Sequence, residues 1–269
     1  MGLYTEKQKL NGQESTLFAE QRQQRIVEQA RQAGRVDVAE LAAELAVTPE
    51  TVRRDLTALE RQGVLRRVHG GAIPVERLGF EPGFAARDAV RRAEKERIAK
   101  AALSELPVEG SVLLDAGTTT ARLAEVMPVN RDLIVVTNSL PIALSLSVRP
   151  GLTVRLVGGR VRGRTQAVVD DWALRVLGDT YVDVAFVGTN GISVERGLTT
   201  PDPAEAAVKQ AMLAAARRVV VLADHTKVGA AHFARFGGLR EVAILITDSG
   251  LDADVAARLE AAGPTVVRA

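Results

Sequence analysis

Between Ser111 and Thr247, six short runs rich in valine, isoleucine and leucine recur, separated by longer stretches of helical pattern. They are Ser111–Asp115, Leu133–Thr137, Thr153–Val157, Val182–Val187, Val219–Ala223 and Val242–Thr247. A strand with one wet face alternates apolar and polar residues, whereas these runs are mostly continuous, as strands buried on both faces are. Strands of that kind alternating with helices predict an α/β fold around a mostly parallel sheet. Aromatic residues make up only 3% of the chain and hydrophobic residues 46%, so the core is expected to be aliphatic.

A different pattern precedes the sheet. Residues 18–33 read as a helix with Ile26, Val27 and Ala30 inward and Gly34 ending it. Asp37 and Glu40 have capping-box spacing for a short helix through Leu45, and Ala46-Val47 turns the chain toward Thr48. Thr48 suits an N-cap and Pro49 the first helical position. Val52, Leu56 and Leu59 then recur on one face, leaving Arg54 at the centre of the opposite face beside Glu50, Thr57 and Arg61. Two short helices joined this tightly form a helix-turn-helix. Gln62-Gly63 stops the second, and residues 64–72 alternate as a β-hairpin would, making a wing.

Net charge is only +2, but residues 51–72 carry five arginines against two acids, a local basicity that on charge alone fits either a phosphate-binding face or a solvated helix face. The expected DNA-contacting set is Thr48, Glu50, Thr51, Arg53, Arg54, Thr57 and Arg61 on the helix, with Arg66, Arg67 and His69 on the wing. Arg54 is the leading base reader, since arginine pairs bidentately with guanine. Arg53 lies nearer the flank, where it reaches a phosphate or pairs with an acid, and His69 is expected chiefly to order the hairpin.

The domain limits expected are a disordered leader at 1–17, a winged helix-turn-helix at 18–76, a linker at 77–93 with a short helix near 84–92, and an α/β domain at 94–269. Cysteine is absent, which excludes disulfides and thiolate metal sites and fits a reducing cytoplasm. Three histidines leave little for a metal site, and no apolar run approaches the roughly 18 residues of a membrane span.

In open α/β sheets ligands bind at the carboxyl ends of the strands, and here those ends are polar or glycine-bearing. They are Asp115 to Thr120 with Gly117, Thr118 and Thr119; Thr137 with Asn138 and Ser139; Gly158, Gly159 and Arg160; Gly188 to Gly191 with Asn190; and Asp224 to Lys227. Gly117 opening a helix favours an anion, though alone the stretch is equally an ordinary strand-to-helix turn with a threonine cap. Five such ends on one edge point to a phosphorylated, hydroxyl-rich small molecule rather than to turn chemistry alone. Asp202, Glu205 and Lys209 admit two readings: a capped helix start with an i, i+4 ion pair, which spacing alone favours, or ligand contacts.

The order Val-Ala-Glu-Leu-Ala from Val38, Thr48 to Leu56, and Leu65 to Ala72 closely resembles the DNA-binding domain of DeoR-family bacterial transcription regulators. The resemblance continues through residues 114–119, 137–139, 158–159, 188–191, 197–202, Glu205, Lys209 and 223–227. It implies a second domain like the sugar-phosphate isomerases that senses a phosphorylated sugar, with a pocket at Asp115, Gly117, Thr118, Thr119, Asn138, Ser139, Asn190, Glu205, Lys209, Asp224 and Lys227. One departure is Val169 to Trp172, where Asp170 and Asp171 replace a small turn and would repel a phosphate. Arg160, Arg162 and Arg164 either compensate or coat a loop. The resemblance further implies a cytoplasmic repressor of a sugar uptake or catabolism operon, homodimeric or homotetrameric, released by a sugar phosphate such as fructose 1-phosphate. The alternative is a sugar-phosphate isomerase or deaminase carrying a DNA-binding module, with Glu205 or Asp224 as base and Lys227 stabilising an enediolate. A dinucleotide-binding redox regulator is weaker, because no G-x-G-x-x-G opens a helix.

Overall fold

The computed structural model describes residues 19–30, 33, 35–74, 81, 83–128 and 131–269. The expected leader at 1–17 and the Gly34 stop lie outside them. The chain divides into two compact units, the first ending at Phe80 and the second beginning at Glu81.

In the first unit, helix α1 (19–30) buries Ile26 and Ala30. Strand β1 (Val36–Asp37) leads into α2 (Val38–Glu44), capped by Asp37, whose side chain accepts from Ala39 N at 2.8 Å. Ala46 turns the chain with a φ of 52°. Helix α3 (Pro49–Arg61) starts as the sequence predicts, Thr48 accepting from Thr51 N at 3.2 Å with Pro49 in the first turn. At its end Gly63 takes a φ of 71°, and the N–H groups of Gly63 and Val64 donate to Glu60 O and Leu59 O, the paired bonds of a Schellman motif. Strands β2 (Leu65–Val68) and β3 (Gly71–Pro74) form the hairpin, and β1 pairs with β3. Val52, Leu56 and Leu59 join Ile26, Leu41 and Leu65 in one core.

That core also holds a charge. Asp55 is buried on α3 and paired bidentately with Arg22, whose Nη2 is 3.2 Å away, while Gln23 donates to the same carboxylate at 3.0 Å. Asp55 therefore fixes α1 against α3 and does not dilute the basic face, as a count of charges along the sequence implies.

The second unit opens with α4 (Phe84–Ala89) and α5 (Arg92–Ala102). The chain then runs through β4 (Gly110–Leu114), α6 (Thr118–Val126), β5 (Leu133–Thr137), α7 (Leu140–Ser147) and β6 (Leu152–Leu156). A hairpin of β7 (Arg160–Arg162) and β8 (Ala167–Val169) precedes α8 (Asp171–Gly178). Next come β9 (Val182–Gly188), β10 (Gly191–Ser193), β11 (Gly197–Thr200), α9 (Pro203–Ala214) and β12 (Ala216–Leu222). The unit ends with β13 (Ala234–Gly237), β14 (Ile244–Thr247), α10 (Ala253–Ala261) and β15 (Thr265–Arg268).

All six predicted strands lie in one parallel sheet, ordered β15-β14-β12-β9-β4-β5-β6. Helices α5, α6 and α7 cover one face through Ile98, Leu123 and Ile142; α8, α9 and α10 cover the other through Leu177, Met212 and Leu259. The chain builds outward from β4 to β6, then returns to β9 on the other side of β4. The crevice between the ends of β4 and β9 is the topological switch point, where ligands bind in such sheets. Sequence periodicity does not predict strand β15, the β7–β8 hairpin or the small antiparallel sheet β10-β11-β13. Each has four residues or fewer per strand, too short for periodicity to register.

Asp55→Ala leaves Arg22 without its partner inside the first unit. Breaking a buried pair costs about 3–5 kcal/mol, so chemical denaturation should show the first unit unfolding earlier while the second is unmoved.

Candidate functional site

The exposed face of α3 is built by its buried one. With Val52, Leu56 and Leu59 inward, Arg54 projects into solvent and forms no ion pair among the described residues. Arg53 is tied to Glu50 at 3.3 Å, and its carbonyl accepts the Thr57 hydroxyl at 2.8 Å. Thr48 and Thr51 hydroxyls lie 2.9 Å apart at the helix start. The wing is docked onto the same helix: Arg67 N donates to Glu60 at 2.9 Å, and its guanidinium donates to the Thr57 hydroxyl at 3.2 Å. Arg61, Arg66 and His69 are exposed, and Arg35 donates to the His69 carbonyl at 3.1 Å. Helix and wing thus offer one cationic surface in which the guanidinium groups of Arg54, Arg61 and Arg66 have no partner among the described residues. Among the described residues no helix is long and apolar enough to cross a membrane.

In the second unit, Asp115 follows β4 at the switch point and is buried. Its Oδ2 accepts from Gly188 N at 2.9 Å, at the end of β9, and pairs with Lys209 of α9. Lys209 also donates to Gly188 O at 2.9 Å and lies 5.5 Å from the Phe236 ring centre. Burial pushes the Asp115 carboxyl up, and the Lys209 ammonium and the Gly188 N–H oppose that shift. The i, i+4 pair of Glu205 with Lys209 is absent. Glu205 faces Arg162 Nη1 at 2.9 Å and accepts the Thr165 hydroxyl, while its own N–H donates to Asp202 at 3.0 Å.

Other expected site residues already have partners within the protein. Asn138 accepts from Ala116 N at 2.8 Å and donates to Val168 O at 3.2 Å; Ser139 accepts from Ile142 N as the cap of α7. Asn190 accepts the Thr200 hydroxyl at 3.0 Å. Asp224 accepts the N–H and hydroxyl of Thr226. Gly159, at a φ of 143°, has no room for a Cβ: one would meet Val169 O and Asp170 Oδ1 at 2.9 Å. Asp170 accepts from Arg160 N and Trp172 N, both at 3.1 Å, so its carboxylate caps α8 and closes the loop. Asp171 is exposed in the first turn of that helix, as are Gly158 in its loop and Arg160 at the start of β7.

Two donors remain. Gly117 gives α6 no side-chain cap, leaving its first-turn N–H groups, beside buried Thr118 and Thr119, for another acceptor. The Lys227 side chain, partly exposed after β12, has no hydrogen-bond or ion-pair partner among the described residues. Lys95 is a member of this edge that sequence reasoning missed. It is buried and donates to the carbonyls of Arg87 and Val90, the latter at 2.7 Å, and it feels the charges of Asp224 and Lys227. The signal was present: Lys95, Ile98, Ala99 and Ala102 form one helical stripe, placing a lysine among inward positions. His225 and Asp248 form a second unforeseen pair, with Nδ1 and Oδ1 2.7 Å apart. Burial would raise the Asp248 carboxyl, but N–H groups of His225 and Gly250 and the His225 ring outweigh it and hold it low.

Comparison with known proteins agrees with this architecture. Residues 22–77 match the DeoR-like helix-turn-helix domain, and residues 90–249 match the DeoR C terminal sensor domain. The chain is 39% identical to the HTH-type transcriptional regulator GlpR of Haloferax volcanii, over 92% of this chain and 96% of that one. It is 35% identical to the uncharacterized HTH-type transcriptional regulator FruR of Bacillus subtilis, over 87% and 92%. It is 31% identical to the glycerol-3-phosphate regulon repressor of Escherichia coli, over 85% and 90%. The chain belongs to the DeoR family of transcriptional regulators.

Burial lowers the Lys95 pKa from 10.5 to about 8. The unfolded chain therefore holds this proton at pH values where the folded chain has released it, and stability gains from Lys95 as pH rises from about 8 to 10.5. Below pH 8 the desolvation cost is carried in full. Thermal unfolding of the wild type against Lys95→Met should show the wild type gaining on the variant across that window; a constant difference would contradict the assignment.

Proposed function

We propose that this DeoR-family regulator is a sequence-specific repressor of a sugar uptake or catabolism operon, released from its operator by a phosphorylated sugar. The observation that carries the reading is the joining, in one chain, of Arg54 on an exposed recognition helix to a strand-edge site with an uncapped α6 and Lys227, both side chains without a partner among the described residues. The former suits guanine in a major groove, the latter a phosphate. Two of the relatives are named for regulation in general, and the third is named for a phosphorylated small molecule.

In this reading Arg54 reads a base, Glu50 and Arg53 act at the flank, and Thr48, Thr51, Thr57, Arg61, Arg66, Arg67 and His69 set register on the backbone. The phosphate meets the Gly117, Thr118 and Thr119 backbone and Lys227. The hydroxyls meet Glu205 and Asn190, and the Asp115–Lys209 pair holds Gly188 in place. Asn138, Ser139, Gly158, Gly159, Arg160 and Asp224 shape the walls. Fructose 1-phosphate is the first effector to try, because residues 201–209 and 160–165 resemble repressors of fructose uptake operons. A dimer or tetramer in the cytoplasm would place paired helices on half-sites a whole number of turns apart. Release requires that the effector bind the DNA-incompetent arrangement more tightly, since equal affinity shifts nothing. Catalysis is disfavoured, because it gives no reason for an attached winged helix-turn-helix.

Arg54→Ala should weaken operator binding by about 1–3 kcal/mol and relax one base preference, read by footprinting; unchanged specificity would show that another side of α3 faces the bases. Lys227→Ala should keep the fold and operator affinity but lose sugar-phosphate binding by at least about tenfold in calorimetry. Lys209→Ala is a poorer probe, because it strands Asp115 as a buried charge. Unaltered affinity in Lys227→Ala would remove that lysine from the phosphate site.

A further inference from the structure

Glu81 is the first residue of the second unit, and its side chain is completely buried. Its carboxylate pairs with Arg162 of β7, accepts from Asn190 Nδ2 at 3.4 Å and lies 3.7 Å from Arg87 Nη1. Its carbonyl accepts from Arg164, and Arg164 O in turn accepts from Phe84 N at 2.9 Å. Arg162 is shared further: its Nε faces Asp202 at 3.0 Å and its Nη1 faces Glu205 at 2.9 Å. One guanidinium therefore serves three carboxylates, two from the start of α9 and one from the chain that enters the domain. Joining two domains does not call for a buried carboxylate, and burying one carries a desolvation cost that partners must offset.

We infer that Glu81 is an internal occupant of the sensing site: its carboxylate stands where a hydroxyl or anionic group of the effector meets Arg162 and Asn190, and effector binding displaces it. This rests on the reading of the second domain as a sugar-phosphate sensor. It adds Arg162 and Glu81 to the binding residues and supplies the route from the site to the DNA-binding unit. Residues 75–80 alone separate Glu81 from Pro74, the last residue of the wing strand β3. Freeing Glu81 gives up its contacts with Arg162 and Asn190, and the effector does the work of breaking them. The same competition lowers the effector's apparent affinity by the fraction of molecules in which Glu81 is out.

The test uses the full chain, wild type and Glu81→Gln, with fructose 1-phosphate, glycerol 3-phosphate and glucose 6-phosphate as probes. Two quantities are read: calorimetric affinity, and hydrogen exchange of residues 83–91. We expect Glu81→Gln alone to exchange faster in this segment and to bind the recognised sugar phosphate about tenfold more tightly. In the wild type that sugar phosphate should itself accelerate exchange there. A sugar phosphate that binds but slows or leaves unchanged the exchange of 83–91, or binds Glu81→Gln no better than the wild type, overturns the displacement. If none of the three binds either protein, the sensor reading fails and the displacement with it. The anchor is then judged by Glu81→Gln alone, with faster exchange upholding it and unchanged exchange overturning it.

Discussion

The second domain depends on one buried ion pair. Where the sheet changes direction, β4 and β9 are neighbours in the hydrogen-bonded ladder but lie far apart along the chain, and their ends must be held in register. Asp115 does so by accepting from Gly188 N, and Lys209 of α9 then closes the junction through both Asp115 and Gly188 O. Neither charge is tolerable alone at that depth, since an isolated buried ion costs several kcal/mol and a paired one far less. The pair is therefore a constraint as much as a bond: it ties a strand end, a neighbouring strand and a helix into one arrangement. The polar groups around it, from the start of α6 to the Arg162 cluster, inherit their positions from that junction.

Much of this was legible in the sequence because it is written at short range. The parallel sheet follows from the continuous aliphatic runs, and the recognition helix from Thr48, Pro49 and the Val52, Leu56, Leu59 spacing. Polar strand ends marked the edge on which Asp115, Gly188 and Lys209 meet. What could not be read depends on which elements become neighbours. Glu205 and Lys209 have ideal spacing for a pair with each other, yet each found a stronger partner on another element, Arg162 and Asp115. Asp55 counts along the sequence as an acid within a basic stretch and is the buried partner of Arg22, 33 residues away. Asp170 looked like an obstacle to a phosphate and is the cap that closes its own loop.

Polar contacts in this domain differ in how they can carry a signal. The residues committed to architecture, Asn138, Ser139, Asp170 and Asp224, give a rigid rim that an arriving ligand cannot move cheaply. The contacts of Arg162 are of another sort, because one cation is divided among three acids and one of those acids belongs to the incoming chain. A ligand that satisfies Arg162 and Asn190 competes with that acid directly, so binding energy is converted into release of Glu81. Such coupling needs no deformation of the sheet, and its strength is set by the difference in affinity between the two arrangements.

The central claim is that occupancy of the strand-edge site lowers affinity for DNA. It is tested most directly by fluorescence anisotropy on a duplex recovered by selection with the purified chain, titrated at fixed salt against phosphorylated sugars and their unphosphorylated parents. The account predicts that one sugar phosphate releases the duplex in a saturable way while its parent sugar does not. Retention of the duplex with every sugar phosphate, by a protein whose melting temperature none of them raises, would contradict it.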